Sequence, residues 1–199
     1  MDSPRSRARA QKGFSLVELM CVIAVMSIVA VVTATSIQHT AWANVKSGAS
    51  TLGNTVDYAR QYAIFNRCQT ALVVATQEND AYRAFTVLKK DDTNWSPVSR
   101  WQKLPEGVIF DSVTQTSFFN AEPDPAMKTL TQGGVSLEPG TGYKSLLFFS
   151  NGQIDGHNPT TLRVIQGHWD AEGLKPQNTN RYMDVVMIPV SGKVKYSAP

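Results

Sequence analysis

Lys12-Gly13-Phe14-Ser15-Leu16-Val17-Glu18-Leu19-Met20 joins a short basic leader to a long apolar run with one acid inside it. From Phe14 to Ile37 the run holds 24 residues, and Glu18 is the only one that carries a charge. An α-helix rises about 1.5 Å per residue, so about 20 apolar residues cross a hydrocarbon core of roughly 30 Å. The length predicts a single membrane span. Ahead of it, Arg5, Arg7, Arg9 and Lys12 face only Asp2, a bias that keeps the leader cytoplasmic and sends the rest outward. A secretory signal peptide has a shorter apolar region ending at a small-residue cleavage site. Here the run is too long and flows into helix-compatible sequence, so the natural processing point lies before it, at Gly13. A carboxylate inside a membrane helix costs about 2.5–3.5 kcal/mol on insertion scales, so Glu18 needs a partner or a function.

Gly13-Phe14-Ser15-Leu16-Val17-Glu18-Leu19 resembles the processing motif of type IV prepilins and type II secretion prepseudopilins. The resemblance implies a cytoplasmic-side cut between Gly13 and Phe14 by a prepilin peptidase, with methylation of the new amino terminus at Phe14. It also makes Glu18 the residue that guides assembly. The physics agrees with that role. Cleavage creates an ammonium at Phe14, about one helical turn from Glu18, and a neighbour's ammonium could pair with Glu18 in a packed array of helices. Two charges that are each costly in lipid would then neutralise one another. The competing reading is an ordinary signal anchor with a stray glutamate.

Length and charge narrow the classes further. Roughly 25 residues would lie in the membrane and about 160 outside it, enough for one domain with a modest core. The leader's four basic residues and one acid account for the whole formal net charge of +3, so the remaining chain is formally neutral. Nucleic-acid binders carry a basic footprint, and the domain as a whole has none. Cys21 lies in the apolar run and Cys68 near the end of the following helical pattern, far beyond disulfide reach if that helix is continuous. Cys21 reads as a small packing residue. Cys68 reads as a buried thiol, with an intermolecular link as the alternative.

Helical patterning persists past the apolar run. Ile37, Ala41, Val45, Ala49, Leu52, Val56, Ala59 and Ala63 recur at spacings of three and four, one stripe on a helix. No proline interrupts residues 14–66, although Gly48 and Gly53 weaken the middle. The expected helix is about 50 residues long. Strand-rich runs follow at Thr70–Thr76, Tyr82–Lys89, Val98–Leu104, Val108–Phe110, Ser145–Ser150, Thr161–Ile165, Asp184–Ile188 and Lys193–Tyr196. Gln77–Asp80 reads as a hairpin turn, Asp91–Asn94 as another, and Asn151-Gly152 as a third. Between Asp111 and Tyr143 the breakers Glu122–Pro125, Gly133-Gly134 and Pro139–Gly142 mark a mobile or partner-facing loop, and Gly167–Asn180 reads as a polar loop.

A second resemblance rests on Phe148-Phe149-Ser150-Asn151-Gly152 and Ile188-Pro189-Val190-Ser191-Gly192-Lys193-Val194. These look like the two C-terminal signatures of the GspH/FimT group of minor pseudopilins and pilins. The resemblances together imply a minor pseudopilin of a type II secretion pseudopilus or a related filament. The alternative within the same scaffold is a type IV minor pilin acting in pilus assembly or DNA uptake. The implied location is the inner membrane, single-pass, with the C-terminal domain periplasmic. The implied partners are the prepilin peptidase, other pilins or pseudopilins through the N-terminal helix, and the inner-membrane assembly platform.

Other chemistry has little support in the residues. His39, His157 and His168 lack metal-ligand spacing, and Asp155 and Asp170 stand outside any clustered calcium-loop pattern. Serine-nucleophile and phosphate-loop motifs are lacking, so neither an enzyme nor a cofactor is expected. Arg181, Lys193 and Lys195, with Tyr182 and Tyr196 among them, could form a small DNA-binding patch. The plainer reading is a solvated strand edge whose alternating lysines guard against aggregation.

The expected architecture is α+β, a pilin-like long N-terminal helix packed on antiparallel sheets of roughly six to eight strands. The expected segments are a cleaved leader 1–13, a transmembrane and filament-core helix 14–37, its amphipathic continuation 38–67 and a β-rich extracytoplasmic domain 68–199.

Overall fold

The computed structural model describes residues 15–77, 80–92, 94–113, 117–120, 124, 127–132, 134–156, 158–170 and 173–199, with side chains for all of these except 31–40. The chain divides into two units, Met1–Thr40 and Ala41–Pro199. Helix α1 runs Leu16–Asn66, 51 residues, close to the length that the apolar periodicity predicts. Its C-terminal end is closed by a Schellman motif. Arg67 takes the left-handed conformation (φ 50°), the Cys68 N–H donates to Ala63 O (3.2 Å), and the Arg67 N–H to Ile64 O (3.4 Å).

In the second unit, the helical stripe faces the core. Val45, Ala49, Leu52, Val56, Ala59 and Ala63 are buried, and they pack with residues from both main sheets. The first sheet has the order β3-β2-β1-β8, with β4 also pairing β2. Its strands are β1 Thr70–Ala75, β2 Ala84–Asp91, β3 Asn94–Pro97, β4 Gln102–Lys103 and β8 Tyr143–Phe148. The second sheet has the order β11-β10-β9-β5, with β5 Val108–Phe110, β9 Thr160–Asp170, β10 Gly173–Met187 and β11 Val194–Ser197. Every strand pairing is antiparallel.

Strand β1 is buried on both faces, and its period of two divides the domain. Leu72 and Val74 join the helix-facing core, while Ala71, Val73 and Ala75 join a second cluster with Leu88, Met127, Leu137 and Tyr143. That second cluster corrects the loop expected over 111–143. Its described part contains a hairpin, β6 Leu130–Gln132 with β7 Val135–Leu137. The hairpin turns at Gly134 (φ 87°), which lies in the breaker pair expected to disrupt order. The Tyr143 hydroxyl donates to Lys128 O at 2.8 Å, and burial, then the charge of Glu138, pushes its pKa up to about 12. Met127 and the β6–β7 hairpin cover the back of the first sheet, while Phe118 joins the helix-facing core.

Three further expectations are corrected. The count of six to eight strands falls short of the eleven among the described residues. The run Val98–Leu104 holds only the short β4, because the Val98 and Ser99 amides both point at Val87 O (2.8 and 3.4 Å) and the chain bulges there. The described residues of the polar stretch, 167–170 and 173–180, continue the β9–β10 ribbon, with register shifts between Pro176 and Asn178 and between Asn178 and Tyr182. A two-stranded ribbon with little buried surface needs no apolar alternation, so its composition hides it. Trp169 anchors the ribbon by packing its ring, tilted by 40°, against Tyr82, with centroids 5.4 Å apart.

Candidate functional site

Ser15-Leu16-Val17-Glu18 is a helix-capping sequence, S-x-x-E, and the structure builds it as one. The Val17 N–H donates to Ser15 Oγ (3.2 Å), and the Ser15 N–H donates to Glu18 Oε2 (3.0 Å). Ser15 O takes the first helical bond, from Leu19 N–H at 3.2 Å. The spacing of Ser15 and Glu18 encodes this box, a signal separate from Glu18's place as a lone charge in an apolar run. One hydrogen bond leaves a carboxylate with further lone pairs, so Glu18 can hold its own helix start and still accept a cation. Ser15→Ala removes the side-chain half of the box and is expected to cost about 1 kcal/mol of helix-end stability. Faster amide hydrogen exchange at Val17, with the rest of the helix unchanged, is the reading that checks it.

Behind the cap, ten large apolar side chains between Leu16 and Val29 are each more than half exposed, at positions on every side of the helix. A helix apolar all round belongs against lipid or other helices, not water. The hydroxyl of Ser27 turns back to Ile23 O at 2.7 Å, which satisfies it without solvent. The described residues contain no helix long and apolar enough to cross a membrane. Of the expected span 14–37, side chains are described only for 15–30, which would rise about 24 Å against a core of roughly 30 Å. Gly13 and Phe14 lie outside the described residues.

The two C-terminal signature turns, far apart in sequence, meet against the helix. Ile154 N–H donates to Pro189 O (2.9 Å) and joins them, while Gly192 N–H closes its own turn on Ile188 O (2.7 Å). Gly152 (φ 80°) and Gly192 (φ 61°) are both left-handed. A Cβ on Gly192 would strike Gly152 O, and one on either glycine would press on Arg60 of the helix. A cavity of about 320 Å³ opens beside the turns, lined by Phe149, Gln153, Ile154, Asp155, Gly156, Pro189 and Val190.

The remaining candidate residues do not converge. Lys193 and Lys195 are exposed, Lys195 on the edge strand β11 opposite Val186. Arg181 is exposed on β10, and five residues of strand from Val186 place it about 17 Å away. The two tyrosines are engaged elsewhere: Tyr182 stacks under the Arg163 guanidinium (3.8 Å), and Tyr196 lies against Gly53 of the helix. Gly53, which propensity counts as a weak point, makes room for that ring. His168 approaches Asp170 (3.7 Å), Asp155 lines the cavity, and His157 and the His39 side chain lie outside the described residues. Cys21 is exposed and Cys68 half-buried, both free. Burial first, then the Asp91 carboxylate, pushes the Cys68 thiol up and away from the reactive thiolate.

Residues 8–34 match the family model for the prokaryotic N-terminal methylation motif. No curated protein sequence matches the chain. Among solved structures, the chain is similar to the type IV minor pilin FimU of Pseudomonas aeruginosa, with 15% identity over 78% of this chain and 92% of that one and a TM-score of 0.47. It is also similar to the minor pseudopilin EpsH of the Vibrio cholerae type 2 secretion system, with 18% identity, 78% and 98% coverage and a TM-score of 0.47. The α+β assignment rests on the chain's own helix, sheets and register. The chain carries the prokaryotic N-terminal methylation motif at residues 8–34, ahead of a domain in which the C-terminal part of the long helix packs on antiparallel sheets.

Proposed function

We propose that the mature chain is a structural subunit, a minor pseudopilin of a type II secretion pseudopilus or a related filament, and not an enzyme. The observation that carries the reading is the methylation motif set directly on a capped helix that is apolar on every side. In this reading a prepilin peptidase cuts between Gly13 and Phe14 and methylates Phe14. The 14–37 helix then sits in the inner membrane with the C-terminal domain in the periplasm. Assembly through the platform moves that helix from lipid into a bundle of like helices, where apolar burial supplies most of the energy and Glu18 sets the register.

The test is intact mass and N-terminal sequencing of protein recovered from membranes, with the peptidase present and absent. The expected product begins at Phe14 and carries one added methyl, and it forms only with the peptidase. In the same assay Gly13→Ala accumulates the uncut chain. A product still starting at Met1, or cut after the apolar run, would leave an anchored or secreted domain and end the filament reading.

A further inference from the structure

Arg60 stands on the flank of α1, beside the buried Ala59 and Ala63 and one turn before Ile64. Its stem is held between the two signature turns. A Cβ on Gly152 would lie 3.3 Å from Arg60 Nε, and one on Gly192 would lie 2.8 Å from its Cδ and 3.0 Å from Nε. The Nε atom is buried, and no described residue accepts its hydrogen. Of the other half-buried arginines, Arg163 makes a two-pronged pair with Asp184 (2.7 and 3.0 Å). Arg83 shares a buried Nε without an acceptor, but its terminal nitrogen Nη2 donates to Leu104 O (3.3 Å). Among the described residues, Arg60 has no such acceptor and no ion-pair partner.

A half-buried guanidinium without an acceptor is costly, and a planar fork held in one place is suited to a carboxylate. The glycine cradle fixes the stem, so little side-chain freedom remains to be lost on docking. Exposed apolar residues stand close by in sequence and on the same turn: Ile64 on the helix, which itself contacts the Gly152 turn, and Ile188 and Val190 ahead of Gly192. A central arginine with an apolar surround is the composition of a protein-docking hot spot. An anionic membrane surface is recognised instead by clusters of four to eight basic residues. Arg60 is a single cation, with the acid Asp57 one turn away on its own helix.

We propose that Arg60, gripped between the Gly152 and Gly192 turns, is the docking point for an aspartate or glutamate carboxylate of a neighbouring filament subunit. The inference rests on the filament reading above and adds a contact in the exported domain to those of the N-terminal helix.

The test uses the full chain in membranes with the peptidase and the filament components, carrying a photo-reactive benzoylphenylalanine at Val190. Val190 is 77% exposed and lines the cavity beside the cradle. Arg60→Met keeps the stem and deletes the charge, so the melting temperature should hold or rise, while cross-linking to the partner falls about tenfold or more. Arg60→Glu combined with arginine at the partner's cross-linked acid should restore the yield. Unchanged cross-linking in Arg60→Met, cross-links to lipid alone, or a fall of several degrees in melting temperature would each overturn the proposal. The mass of the same samples separates the two failures. Cleaved, assembled chains indifferent to Arg60→Met defeat only this contact, whereas chains uncut after Gly13 defeat the filament reading and this contact with it.

Discussion

Gly192→Ala is expected to lower the melting temperature of the detergent-solubilised chain by roughly 10 °C, against about 3 °C for Gly107→Ala. Both glycines are left-handed, φ 61° and 74°, so both variants bear the strain of an L-residue there, about 1 kcal/mol. They differ in what surrounds them. A Cβ at Gly107 meets nothing within 4 Å, whereas one at Gly192 strikes the backbone oxygen of Gly152 and crowds Arg60 Cδ at 2.8 Å. The arginine stem can shift, but the carbonyl belongs to a turn that is itself tied by Ile154 N–H to Pro189 O. Overpacking of that kind adds about 1–3 kcal/mol, for a total near 3 kcal/mol. At about 2–4 °C per kcal/mol for a domain of this size, the shift is large enough for an ordinary thermal melt to separate the two variants. Equal shifts would mean that the two signature turns do not press on one another, and the cradle around Arg60 would lose its basis.

How far the sequence could be read follows from how local each feature is. Helix α1 was legible because an unbroken spacing of three and four needs no partner to be recognised, and the turn at Asn151-Gly152 because its residues encode the backbone they adopt. The β6–β7 hairpin was hidden because its strands are three residues each, framed by glycines and prolines. Leu137 and Met127 show their purpose only once they lie against Ala71 and Val73. The 167–180 ribbon was hidden for the converse reason, since strands with little to bury carry no apolar alternation. At the site, Glu18 announced itself as a lone charge in an apolar run. Arg60 could not, because its cradle joins one helix position to turns about 90 and 130 residues later, a juxtaposition that no local pattern encodes. Arg181 shows the opposite error. Its closeness in sequence to Lys193 and Lys195 suggests a shared patch, and strand geometry separates them.

Glu18→Ala is expected to be cut and methylated nearly as well as the parent chain but to enter filaments about 100-fold less. In the proposed assembly each Glu18 carboxylate meets the Phe14 ammonium of a neighbour in a dry bundle of helices. Removing one member of such a pair leaves the other charge buried alone, at about 3 kcal/mol or more, and 3 kcal/mol is a factor near 100. The capping box complicates the alanine variant, because Glu18 also accepts the Ser15 N–H at 3.0 Å. A frayed helix start would reduce incorporation too. Glu18→Gln separates the two causes: glutamine at this position still completes a capping box, but it carries no charge. If the ion pair governs assembly, Glu18→Gln should fail nearly as badly as Glu18→Ala, and Ser15→Ala should assemble almost normally. If the cap governs it, Glu18→Gln should assemble and Ser15→Ala should falter. Incorporation is read as the ratio of filament-bound to membrane-bound mature chain at equal processing, and parent-level incorporation of Glu18→Gln would remove the charge pair from the assembly mechanism.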